Sequence, residues 1–181
     1  MKTKTHFFWL TLSVLLLACT QPKPEVVEAP VDVTPPPAEF ADPRFAEIGK
    51  RGLKALTSGD IDSFAADFAE NAVYRWNSGD SVSGKQAIHA YWKDRMTNAI
   101  DKIAYDNDIW LPIKINQPQK GPDAPGVWLL SWIRATITYK KSGKSITQWI
   151  HSDYHFDKDD KIDVVVMYLD RAPINSAISG K

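Results

Sequence analysis

Apolar and polar residues alternate most sharply between Lys144 and Leu169, KSITQWIHSDYHFDKDDKIDVVVMYL. Two strand-length runs stand there, Ile146 to Phe156 and Ile162 to Leu169, joined by the four-residue acidic turn Asp157 to Asp160. A third run, Val127 to Tyr139, precedes them across Lys141-Ser142-Gly143-Lys144, a hairpin signal. Ile103 to Ile115 reads as a further long strand, broken at Pro112, and Gln117 to Pro125 as a Pro/Gly loop.

A two-residue loop at Ser142-Gly143 sets both faces of the hairpin, because a strand's side chains alternate between faces. One face carries Leu129, Ser131, Ile133, Ala135, Ile137 and Tyr139 beside Ile146, Gln148, Ile150, Ser152, Tyr154 and Phe156, and it is almost wholly apolar. The other pairs Thr136 with Trp149, Arg134 with His151, Trp132 with Asp153 and Leu130 with His155. That face is polar and aromatic.

Before the strands the period changes to that of helices. Asp42-Pro43 is a start signal, and Phe45, Ile48, Leu53 and Leu56 keep near-helical spacing up to the stop at Ser58-Gly59. Asp60 caps a second, shorter helix carrying Ile61, Phe64, Ala65 and Phe68. Ala72 to Trp76 is a short strand, Asn77 to Asp80 a turn, and Lys85 to Asn98 a third helix with Ile88, Tyr91, Trp92 and Arg95 on one stripe. Such aromatic stripes are expected to pack under a sheet. The element set is α+β.

The amino terminus adds location. A basic start at Lys2 and Lys4 and an apolar run from Phe7 to Ala18 describe an export signal rather than a span, which needs roughly 20 apolar residues. Leu16-Leu17-Ala18-Cys19 is similar to a bacterial lipobox, in which Cys19 takes a lipid on its sulfur, becomes the new amino terminus and is acylated again. As the chain's one cysteine it has no disulfide partner within the chain. Residues 1–18 are thus expected to be a lipoprotein signal peptide, 19–41 a lipidated Pro-rich tether, 42–175 the folded domain and 176–181 a tail. Thr20, in place of an aspartate after the cysteine, points by resemblance to lipoprotein sorting toward the outer membrane of a Gram-negative cell.

The 22 Lys+Arg balance 22 Asp+Glu, and loss of Lys2 and Lys4 leaves 20 against 22. That balance argues against a nucleic-acid partner. There is no Gly-rich phosphate loop, Gly-x-Ser-x-Gly elbow or Cys/His metal spacing, so neither cofactor nor metal is expected.

The phrases SGDIDSFAADFAENAVYRW, SGKQAIHAYW and HFDKDDKIDVVVMYLD, spread over about Ala41 to Arg171, resemble the cone-shaped α+β fold of nuclear transport factor 2, ketosteroid isomerases, scytalone dehydratase and SnoaL-type polyketide cyclases. The resemblance implies three amino-terminal helices on a curved, mainly antiparallel sheet, a ligand cup between helices and concave face, and a homodimer through the outer face. It places Gly52 at the isomerases' oxyanion tyrosine, Trp76 near their general-base aspartate and Ser152 near their protonated aspartate. None of the three can do that chemistry. A one-residue shift would put Asp153 in place of Ser152 but would restore no base.

Two candidate sites follow. The inner wall, expected to bind a small apolar or amphipathic molecule, comprises Trp76, Gln148, Ile150, Ser152, Tyr154, Val165 and Met167. On the other face His151 and Asp153 are the candidates for a cofactor-free isomerase, cyclase or dehydratase. His155 shares their face, but positions i and i+4 of a strand lie about 13 Å apart, too far for one zinc ion. His89 reads as a surface residue. Trp132 and Trp149 on the outer face point to the dimer or to another envelope protein.

Overall fold

The computed structural model describes residues 34–117 and 124–179. All described residues but Thr34 belong to one compact unit that begins at Pro35. The expected signal peptide, Cys19 and most of the expected tether lie outside the described residues. Among those described, no helix is long and apolar enough to cross a membrane.

Seven strands form one sheet. They are β1 (Ala38–Phe40), β2 (Phe68–Trp76), β3 (Ser81–Ser83), β4 (Ile100–Ile115), β5 (Gly126–Tyr139), β6 (Ser145–Phe156) and β7 (Ile162–Tyr168), and they lie in the order β1-β4-β5-β6-β7-β2-β3. All neighbours are antiparallel except β2 and β7. Against one face pack α1 (Arg44–Ser58), α2 (Ile61–Ala65) and α3 (Lys85–Asp94), and α4 (Arg171–Ser179) completes the core through Ile174 and Ala177.

The local signals work as chemistry predicts. Asp42 Oδ1 accepts the Arg44 N–H at 2.9 Å, Gly59 ends α1 at φ 75°, and Asp60 accepts the Ser63 N–H at the start of α2. The acidic turn closes on itself as Asp157 Oδ1 accepts the Asp159 and Lys161 N–H groups, with Asp160 at φ 57°. Helix α1 approaches the sheet so closely that a Cβ on Gly49 would stand 2.3 Å from Trp110 Cζ3 and 2.8 Å from Leu129 Cδ2. Leu129 itself is fully buried, a burial that stabilises the fold by about 1.5–3 kcal/mol.

Several expectations need correction. There are four described helices rather than three, and α4 crosses the expected boundary between domain and tail at residue 175. Ala38–Phe40, read as tether, is a strand on β4, and Ser81–Ser83, between the expected turn and the third helix, is a strand on β2. Phe68 opens β2 rather than lying in α2. Pro112 does not break β4: its carbonyl accepts the Ala41 N–H at 3.1 Å near the edge capped by β1, where no ladder needs its missing N–H. The irregularity falls instead at Asn107, φ 51°, where the register with β5 shifts.

The hairpin loop holds four residues, Lys140 to Gly143, because the Tyr139 N–H bonds the Lys144 carbonyl and the Gly143 N–H the Tyr139 carbonyl. The expected pairs therefore move by two positions. His151 stands opposite Trp132, Asp153 opposite Leu130, His155 opposite Trp128 and Trp149 opposite Arg134. An even shift leaves every side chain on its face.

Candidate functional site

The concave face of the sheet and α1 to α4 enclose a cavity of about 100 Å³. One wall is aromatic. Trp92 and Tyr91 of α3 meet edge to face at 5.7 Å, Tyr91 and Trp76 lie 5.0 Å apart, and Tyr74 sits 5.0 Å from Trp76 and 6.1 Å from Trp92. Across from it stand Tyr105 of β4, Ile133 and Tyr139 of β5, and Ile150, Ser152 and Tyr154 of β6. Alternation along the strands brings these together, and the helical rows of α3 and the turn after it present Tyr91, Trp92 and Arg95 to the same space.

Of the expected wall, Trp76, Ile150, Ser152, Tyr154 and Met167 line the cavity. Two do not. Val165 is fully buried between Tyr154 and Tyr74 in the sheet, behind the wall, and Gln148 turns its Oε1 to the Asp170 N–H at 3.2 Å. Gly52 also lines the cavity, so the three positions that the resemblance set against isomerase catalytic residues, here glycine, tryptophan and serine, all face it. Asp153 cannot substitute for Ser152, because the observed register turns it to the other face.

The electrostatics inside are those of buried phenols. Burial raises the ionisation of Tyr74 well above the ordinary tyrosine range, and it raises Tyr105 as well. For Tyr154 burial again dominates, opposed by the Ser152 and Ser131 hydroxyls, and for Tyr139 it is opposed by the Arg95 guanidinium. All four are neutral hydrogen-bonding groups at physiological pH. The Tyr74 hydroxyl lies 3.6 Å from Met167 Sδ. Among the described residues one acidic side chain lines the cavity, Asp67, and Arg51 clamps it through two bonds of 2.8 and 3.1 Å.

His151 and Asp153 are brought together, but outside the cup. His151 Nε2 lies 2.9 Å from Asp153 Oδ1, its Nδ1 is 2.8 Å from the Ser131 carbonyl, and its ring is stacked between Trp132 at 4.6 Å and Tyr168 at 5.5 Å. His155 belongs to a separate pair with Asp163 at 2.6 Å. Arg134, expected beside His151, instead bonds Asp106 at 2.9 Å. His89 lies 2.7 Å from Asp62 on the helical side. A backbone layer separates the His151–Asp153 pair from the cavity, so the two cannot act on one bound molecule.

Reading the sequence missed Tyr74, Tyr105 and Arg95 as cavity residues. Arg95 carried a signal, an arginine ending the stripe Ile88, Tyr91, Trp92.

The sequence profile of the SnoaL-like domain family matches residues 50–165. No curated protein matches the chain. Among solved structures, a Bacillus subtilis protein provisionally named an isomerase is similar at 16% identity and a TM-score of 0.59, with 76% of this chain and 94% of that one covered. A nuclear transport factor 2-like protein of unknown function from Burkholderia pseudomallei is 14% identical at a TM-score of 0.57, over 75% and 97% of the two chains. A protein with a ketosteroid isomerase-like fold from Catenulispora acidiphila, in complex with trimethylamine, is 12% identical at 0.54, over 74% and 92%. At these identities the likeness is one of fold.

Proposed function

We propose, for a chain that belongs to the SnoaL-like domain family, that the cup binds and holds a small apolar or amphipathic molecule without turning it over. One observation carries this reading: the cavity is walled by aromatic rings and neutral phenols, and its single carboxylate is already engaged by Arg51. Proton abstraction needs a base beside the substrate, with an ionisation matched to the pH. Among the described residues neither imidazole nor free carboxylate lines this cavity.

We further propose that the protein works from the cell envelope, lipid-anchored through Cys19, with a homodimer formed by the outer sheet face. The lipobox-like string supports the anchor. Trp149 at 52% exposure and Tyr168 at 42% support the dimer, since large exposed aromatics concentrate at interfaces. Replacing Cys19 with alanine is expected to abolish lipid labelling and release the protein from membranes; unchanged labelling refutes the anchor.

Native mass spectrometry of the full-length protein released from detergent tests the cup. A co-purified small molecule is expected in the wild type and in His151→Ala, and is expected to be lost in Tyr154→Ala. Loss in His151→Ala with retention in Tyr154→Ala would move the function to the outer face.

A further inference from the structure

The polar groups of the cavity are unbalanced. Arg95, half-buried, begins a π-helical turn, Arg95–Ala99, that continues α3 into the cavity wall. Its guanidinium lies 5.6 Å from the Tyr91 ring centroid and close enough to Tyr74 and Tyr139 to favour their ionised forms against burial. Among the described residues no carboxylate stands within ion-pair distance of Arg95. The other charges lining the cavity are answered, Asp67 by Arg51 and Arg171 by Asp80. Three positions before Arg95, and so on the same face, the Trp92 Nε1–H is buried without an acceptor.

Both groups can only donate. A buried donor without a partner and a cation partly withdrawn from water without a counter-charge are each unfavourable. With neutral phenols around them, the wall is rich in donors and carries one uncompensated positive charge. Its complement is a molecule with an anionic acceptor at one end and an apolar body for the aromatic wall. Size sets a further limit, since a cavity of about 150 Å³ takes benzene and this one is about 100 Å³.

We propose that the cup selects a small carboxylate whose apolar body is smaller than one aromatic ring, a short branched chain, with the carboxylate on Arg95 and the Trp92 N–H as second donor. This rests on the ligand-cup reading and adds the ligand's chemical class.

The test compares isobutyrate with its neutral isostere isobutyramide by titration calorimetry on the full-length protein in detergent. The carboxylate is expected to bind at least tenfold tighter, as charged hydrogen bonds warrant. Arg95→Gln is expected to abolish that preference, Arg95→Lys to retain part of it, and the Trp92 indole N–H resonance to move downfield with isobutyrate in the wild type. Equal binding of the two probes by the wild type overturns the carboxylate class whatever the variants do, and so does entry of xenon with neither probe bound. Failure of every probe, xenon included, overturns the cup reading itself.

Discussion

The two faces of the β5–β6 ribbon come from alternate residues of the same strands, yet they obey different rules. On the concave face Leu129, Ser131, Ala135 and Ser152 are at most 1% exposed, and even their polar atoms are enclosed, the Ser131 hydroxyl donating to the Ser152 carbonyl at 3.1 Å. On the outer face lie hydroxyl pairs such as Thr136 and Thr147, the Arg134–Asp106 ion pair and two His–Asp pairs, all partly in water. The difference teaches where reactive residue types can mislead. The face with histidines and carboxylates sets them in pairs partly in water, and the face that walls the cavity has almost none of them.

The comparison breaks most visibly in stability. Leu129→Ala is expected to cost about 2–5 kcal/mol in urea unfolding, because it removes a fully enclosed side chain that α1 holds in place. Trp149→Ala, half out of water, is expected to change monomer stability by less than about 0.5 kcal/mol. If the outer face pairs two copies, the same change weakens the dimer by about 2 kcal/mol or more in sedimentation. Equal costs of the two changes in a monomer would mean that the faces do not differ as described.

A titration sharpens it further. Tyr74 is neutral in the fold well above pH 10, whereas in the unfolded chain it ionises near pH 10. Its burial therefore costs nothing below about pH 10, and above that point ionisation of the unfolded chain erodes stability by about 1.4 kcal/mol per pH unit until the folded-state value is reached. Tyr74→Phe removes that erosion, so its unfolding midpoint is expected to fall less steeply between pH 10 and 12 than the wild type's. Identical slopes would show that Tyr74 is not enclosed.

Much of the fold was legible because local chemistry decided it. The Asp42, Gly59 and Asp60 signals mark helix ends whatever lies beyond them, and alternation set the faces of β5 and β6 so firmly that a two-residue error in loop length moved no side chain across. Three elements were hidden for physical reasons. β1 and β3 are three residues long and exist by pairing with β4 and β2, and α4 has Pro173 in its first turn with only Ile174, Ala177 and Ile178 as an apolar face. The site was half legible. Alternation tells which strand residues face inward but not which helical residues meet them, so Ser152 and Tyr154 could be placed while Arg95 and Tyr105 could not.

Two glycines on α1, both lining the cavity, probe the concave side at its finest, one pressed against neighbouring side chains and one beside open space. At Gly49 a methyl group would collide with Trp110 and Leu129, the latter fixed in the core, so Gly49→Ala is expected to destabilise by about 1–3 kcal/mol. At Gly52, on the cavity, the nearest atom to an added Cβ is Phe64 Cδ2 at 3.8 Å, an ordinary contact. Alanine there also lowers the entropy the helix loses on folding, so Gly52→Ala is expected to stabilise by about 0.5–1 kcal/mol. Opposite signs for neighbours three positions apart on one helix would separate the close-packed part of the cup wall from its open part along α1. If Gly52→Ala also destabilised, the space beside it would be closed in solution, and the cup would have to open elsewhere or not at all.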